Sequence, residues 1–349
     1  RLRTWRRGSR RCVESRDGRV LRPHGDSRRE TNGRGGFEVL RSLELCAGAG
    51  GLSLGLEAGG FTPLALVDSK PDACATLLAN RPHWPVLETD LTDFLPSDRP
   101  GLFPPDTDID LLAAGLPRLP SSVNGPGKDP EMEYFLLKAV VWLAQATLPR
   151  ALLIENIPGL VLDPAYAPVR AWVEDHLREI GYGYGWRVLD AQDFGVPQRR
   201  PHGFLVALRQ GTAPSWPSPR STPCDDVGSV LASSMAAEGW RGAAAWAARA
   251  NRPAPTLVGG SDRRGGADLG PTGSKRSWEK LGVNGGGVAD AVPDVHAAVN
   301  LLPKLTVAQV ALLQGFPPEW RISGRKTSSY RQVGNACPPP LATAVASSI

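Results

Sequence analysis

The residues best placed to do chemistry begin at a glycine-rich turn, Leu45-Cys-Ala-Gly-Ala-Gly-Gly51, and continue through Asp68 and Asp90. Glycines at 48, 50 and 51 let the backbone approach a ligand closely, and Cys46 stands where an apolar run enters the turn. Asp68 follows Gly51 by 17 residues and ends the next apolar run, from which a carboxylate accepts from both hydroxyls of a ribose. Thr89-Asp90 ends a third such run, where a carboxylate reaches an adenine amino group. This is nucleotide-type cofactor geometry. The spacing Gly-x-Gly-Gly, rather than Gly-x-Gly-x-x-Gly, together with Asp90 favours S-adenosylmethionine over NAD.

The elements that must hold these residues follow from hydrophobic periodicity. Strands are expected over 41–46, 61–67, 86–90, 109–114, 151–154, 185–190 and 204–208, and helices over 52–58, 71–79, 134–147 and 169–180. Gly59-Gly60 closes the first helix, and the wholly apolar run at 151–154 is of the buried parallel type. Strands alternating with helices predict an α/β fold with a doubly wound, mostly parallel sheet. Beyond 208 the rhythm fails. Residues 209–305 are rich in Gly, Pro, Ser and Trp, which predicts a smaller irregular domain entered through a linker near 212–224. Short helices are expected at 306–313 and from 338. The expected division is a basic extension at 1–36, a cofactor-binding and catalytic domain at 37–208 completed by 329–349, and a smaller domain with its hinge at 209–328.

Composition bounds the setting. The chain has 349 residues, 41% hydrophobic and 21% charged, as in ordinary globular proteins. No apolar run approaches the ~18 residues that span a bilayer. Cysteines at 12, 46, 74, 224 and 337 form no metal-ligand spacing, so no metal is expected, and they suit a reducing cytoplasm. Residues 1–36 hold 12 Arg against 4 acidic residues, which leaves the rest of a +5 chain at −3. The basic character therefore belongs to an extension whose composition predicts disorder, and it says nothing about a DNA-binding fold.

Six segments, in order, make the chain resemble the DNA (cytosine-5)-methyltransferase family, bacterial restriction–modification type, over 37–349. Leu45-Cys-Ala-Gly-Ala-Gly-Gly51 is similar to the first family motif, and Glu155-Asn156 to its Glu-Asn-Val motif. Asp193-Phe-Gly-Val-Pro-Gln-Arg-Arg200 resembles the motif ahead of the target-recognition region. Arg252-Pro-Ala-Pro-Thr256, Leu312-Leu-Gln-Gly-Phe-Pro317 and Gln332-Val-Gly-Asn-Ala-Cys-Pro-Pro-Pro340 resemble those after it. The resemblance implies the S-adenosylmethionine-dependent methyltransferase fold with a target-recognition domain at 209–328. Its cofactor site would include Cys46, Gly48, Gly50, Gly51, Asp68, Asp90 and Asn335. Its partner would be double-stranded DNA with a flipped cytosine, with a partner methyltransferase or restriction subunit as a further expectation. In the family a thiolate adds to cytosine C6 and a carboxylic acid assists at N3. The resemblance puts Glu155 at N3, with Gln198, Asn156 and Arg200 near the base.

The chain departs from the family where the cytosine is handled. The catalytic loop, Gly-Pro-Pro-Cys-Gln-Pro-Phe-Ser in the family, is Gly115-Leu-Pro-Arg-Leu-Pro-Ser-Ser122 here, which puts Arg118 on the nucleophile. Arginine stays protonated and offers no lone pair at neutral pH, so it cannot attack a ring carbon. Leu119, Ser121 and His202 replace the family's Gln, Phe and second Arg in the same neighbourhood. The expectation is a family protein that is inactive or severely impaired. The alternatives are a non-catalytic S-adenosylmethionine and DNA-binding pseudoenzyme or partner subunit, and a methyltransferase acting on another nucleophile. The last would want an Asp/Asn-Pro-Pro-Tyr/Phe loop, which Leu116-Pro-Arg-Leu does not supply. Arg263, Arg264, Lys275, Arg276, Arg325 and Lys326 are candidate DNA contacts.

Overall fold

The apolar run Leu40–Leu45 forms β1, and its last four residues are buried on both faces, as expected for an interior parallel strand. In the computed structural model, which describes residues 39–104, 107–119, 134–260 and 266–349, Val39–Ile349 is one compact unit. The remaining strands are β2 (Phe61–Asp68), β3 (Val86–Glu88), β4 (Leu111–Gly115), β5 (Ala151–Asn156), β6 (Gly183–Asp190) and β7 (Pro201–Leu208). They form one sheet in the order β3-β2-β1-β4-β5-β7-β6. β1 pairs in parallel with β2 and β4, while β7 runs antiparallel to both β5 and β6. The chain reverses its direction of winding between β1 and β4, and a crevice opens there at the carboxyl ends of the strands.

Helices α1 (Gly51–Ala58), α2 (Pro71–Asn80), α3 (Phe135–Thr147), α4 (Pro158–Leu162) and α5 (Ala167–Glu179) accompany the sheet. The last helix, α11 (Pro339–Ala346), packs along α1. Their backbones approach so closely that a Cβ on Gly55 would lie 2.2 Å from Cβ of Ala342. Gly51 is equally constrained, 2.1 Å from the Cys337 carbonyl oxygen by the same construction. The C-terminal segment therefore seats the helix that follows the glycine-rich turn.

Residues 209–305 are more helical than their composition suggested. They contain α6 (Val227–Ala236), α7 (Ala243–Arg249) and α8 (Thr272–Lys280); α9 (Val307–Leu313) and α10 (Lys326–Asn335) follow. α6 starts at Asp226, whose carboxylate accepts from Ser229 N, and α9 opens with a capping box of Thr306 and Gln309. Nor does this region keep a core to itself. Trp246, Trp278, Phe316 and Trp320 share one apolar cluster with Ala49, Leu77 and Trp84 around the glycine-rich turn. The extension at 1–36 lies outside the described residues, as do Ser121, Arg263 and Arg264. Among the described residues, no helix is long and apolar enough to cross a membrane.

Candidate active site

The crevice holds a cavity of about 600 Å³, within the ~300–1,000 Å³ of small-molecule sites. One wall is the turn after β1. Cys46, Gly48 and Gly50 all have positive φ, at 56°, 56° and 83°, and Cys46 is held there although side-chain-bearing residues disfavour that region. Asp68, at the end of β2, braces the turn. Its Oδ2 accepts from Gly48 N and its Oδ1 from Lys70 N, each at 2.8 Å. Burial raises its pKa and these hydrogen bonds lower it, with burial the larger effect. Each oxygen retains a lone pair for a further donor. Asp90 is fixed at the far end, where its Oδ1 accepts from both Thr92 N and Thr92 Oγ1 at 2.8 Å. Asn335 donates to the Gly260 carbonyl oxygen at 3.2 Å and lines the same cavity, together with Cys46, Gly48, Gly51, Asp68 and Asp90. Two fixed carboxylates beside a bare glycine turn fit a ligand with a ribose diol and an adenine amino group.

The opposite wall is built from β4 and β5. β4 delivers Gly115-Leu-Pro-Arg118, and β5 delivers Glu155, which lies in register with Gly115. Asn156 shapes the loop between them. Its Oδ1 accepts from Leu119 N at 3.2 Å, and its Nδ2 donates to the carbonyl oxygens of Leu116 (3.4 Å) and Pro117 (3.2 Å). Arg118 projects into the cavity beside Glu155. Much of its side chain is open to solvent, yet protein atoms crowd the guanidinium enough to lower its pKa, against the pull of Glu155. It makes no hydrogen bond or ion pair with a described residue.

Behind Glu155 runs a buried chain of polar groups. Arg200 donates from Nε to His202 Nε2 at 3.0 Å, and His202 Nδ1 lies 2.6 Å from Glu155 Oε1. Burial lowers the His202 pKa, and Arg200 and Arg118 add to this while Glu155 opposes it. Arg200, 1% exposed, also donates to the carbonyl oxygens of Leu257 (2.6 Å) and Gly334 (2.9 Å). Gln198 is wholly buried. It donates to Leu313 O and Gln314 Oε1 and accepts from Leu257 N. Neither Arg200 nor Gln198 lines the cavity. Both residues, expected near the base, tie β7 and its entry to the 257 and 313–336 segments.

Sequence reasoning missed Trp320, which holds the turn from outside by donating to Ala49 O at 2.9 Å. Nothing local ties it to the turn; its only signal was an aromatic soon after the Leu312-Leu-Gln-Gly-Phe-Pro317 motif. Among the proposed DNA contacts, Lys275 pairs with Asp268 at 2.8 Å and Lys326 with Asp290 at 2.7 Å. Gly259 crosses close over the backbone at Gly334. A Cβ on Gly334 would lie 2.6 Å from Gly259 Cα.

The family profile described as C-5 cytosine-specific DNA methylase matches residues 40–349. The chain belongs to this family. Within it, the chain is 45% identical over 314 residues to the Type II methyltransferase M.NaeI of Lentzea aerocolonigenes, covering 88% of this chain and 74% of that one. It is 40% identical over 313 residues to the Type II methyltransferase M.NgoMIV of Neisseria gonorrhoeae, covering 87% and 95%. Its fold is similar to that of the S. pombe Dnmt2 methyltransferase, with a TM-score of 0.57, 18% identity and coverage of 87% and 96%. C-5 cytosine methylases of this fold use S-adenosylmethionine as methyl donor, and the carboxylates and glycine turn of this cavity suit it.

Proposed function

We propose that this C-5 methylase binds S-adenosylmethionine and duplex DNA but turns over extremely slowly or not at all, because Arg118 stands at the nucleophile position. The observation that carries this reading is the placement of Arg118 beside Glu155 on one wall of the cofactor cavity. A base flipped into that cavity meets a guanidinium where the chemistry needs a thiolate. No thiol among the described residues is fit to replace it. Cys46 and Cys337 line the cavity. Burial pushes the Cys46 thiol up to about 12, with Asp68 adding to the shift, and burial together with Glu155 raises Cys337. Both remain protonated at neutral pH and are poor nucleophiles.

S-adenosylmethionine, held by Asp68, Asp90, Asn335 and the turn from Cys46 to Gly51, would supply an electrophilic methyl group beside the base pocket. Glu155 would meet cytosine N3, and Asn156 would hold the loop of Arg118 against the base. Residues 209–328 would serve target recognition, and the likeness to Type II methyltransferases supports a restriction–modification role, with the cytoplasm as its setting. The preserved cofactor wall equally supports a pseudoenzyme that serves a partner subunit. Calorimetry with S-adenosylmethionine and tritiated methyl transfer to mixed duplex DNA test the proposal together. Cofactor binding with no 5-methylcytosine above a no-protein blank is expected. Incorporation well above the blank refutes the inactivity, and absent binding refutes the cofactor site.

A further inference from the structure

His202 breaks the family pattern, and its surroundings assign it a definite job. Arg200 is fixed by two carbonyl oxygens, Leu257 O at 2.6 Å and Gly334 O at 2.9 Å, which leaves its Nε–H aimed at His202 Nε2. An arginine Nε–H only donates. Burial lowers the Arg200 pKa to about 9, with Arg118 adding to the shift, so the side chain is still charged at neutral pH. His202 Nε2 must therefore be bare, and the single ring proton of neutral His202 must sit on Nδ1. Nδ1 faces Glu155 Oε1 at 2.6 Å.

The consequence reaches the cavity. Oε1 accepts from Nδ1–H, which makes it the less basic of the two oxygens, so a proton on the carboxyl favours Oε2. Oε2 is the oxygen on the Gly115 side, 3.9 Å from a Cβ built there, where Glu155 lines the cavity. We infer that His202 is a positioning residue for Glu155: locked as the Nδ1–H tautomer by Arg200, it directs any proton on the carboxyl to Oε2, facing the base. The inference rests on the reading of Glu155 as the group at cytosine N3. The other ionisable groups around this chain are Arg118 on the loop after β4, Tyr330 on α10 and Cys337 beyond it.

His202 is thus a partner fitted to Arg200 and not a lost base contact. An arginine at 202 would set a second guanidinium against Arg200 at a site only 4% exposed.

Two measurements on the full chain test this. Nitrogen-15 NMR of the histidine-labelled protein reads the tautomer directly, and the His202→Asn spectrum assigns the signal among five histidines. A neutral Nδ1–H ring at pH 7 is expected; an Nε2–H or doubly protonated ring overturns the inference. The second measurement is kcat in an Arg118→Cys background. His202→Phe should lower it about 100-fold, in the range of a misdirected acid, with cofactor Kd unchanged. His202→Asn, which can donate from near the Nδ1 position, should recover about tenfold of that loss. Equal kcat for His202→Phe and its parent overturns the inference. If Arg118→Cys itself gives no turnover, the silencing role of Arg118 fails, and the NMR tautomer still decides the role of His202.

Discussion

Trp320 donates its indole N–H to the Ala49 carbonyl oxygen at 2.9 Å, across 271 residues of sequence. Its ring also lies 2.9 Å from where a Cβ on Gly50 would be, and Trp84 and the Arg81 guanidinium pack beside it. The glycine-rich turn is thus shaped from inside by Asp68 and from outside by the segment between α9 and α10. Trp320→Phe keeps most of the packing and strands a buried carbonyl. It should cost about 1–3 kcal/mol of stability and weaken S-adenosylmethionine binding. Urea unfolding and calorimetry check this; wild-type values in both contradict it.

Gly334 and Gly259 cross with no room for a side chain. Gly334→Ala puts a methyl group within 2.6 Å of Gly259 Cα, where only backbone can yield. A loss above about 2 kcal/mol is expected. Gly266→Ala, with nothing within 4 Å of its Cβ position, should stay within about 0.5 kcal/mol. Comparable losses in the two variants would show that the crossing is not the cause.

Glu44 lies under the turn at 1% exposure, beside Ser53, with neither carboxyl oxygen hydrogen-bonded to a described residue. Burial raises its pKa from 4.5 to about 8. The folded state therefore binds this proton more tightly than the unfolded chain. The stability that Glu44 contributes is full below about pH 4.5 and is lost as pH rises through 8. Glu44→Gln should match wild type near pH 4.5 and exceed it by a few kcal/mol at pH 8.5. Denaturant melts at both pH values measure the difference, and a gain at the acid end alone reverses the sign.

Asn156 holds the loop of residue 118 by three hydrogen bonds across residues 116–119. In an Arg118→Cys background, Asn156→Ala should lower kcat about 10- to 100-fold, because a small displacement of a reacting group costs that much. The cofactor Kd should hold, since Asn156 does not line the cavity. Steady-state kinetics with calorimetry separates the two. A weakened Kd at unchanged kcat would assign Asn156 to the cofactor instead.

The cofactor half of the fold was legible because its signals are local. The turn at 45–51, Asp68 and Asp90 lie within one short stretch, and the apolar runs around them fall within a residue or two of β1, β2 and β3. α8 was illegible because Trp278 is its one buried residue, so no helical period develops. Arg200 and Gln198 carried the residue types of a base-binding site, but their partners lie 57 to 134 residues away, beyond any motif. His202 looked like a simple loss for the same reason. Its meaning depends on where Arg200 and Glu155 stand across two paired strands.

If Arg118 alone silences an otherwise assembled site, Arg118→Cys restores turnover. Tritiated methyl transfer from S-adenosylmethionine to mixed duplex DNA, read as 5-methylcytosine, should rise at least about 100-fold over wild type, the scale of a restored nucleophile. Equal incorporation by the two proteins, whether both active or both silent, would contradict it.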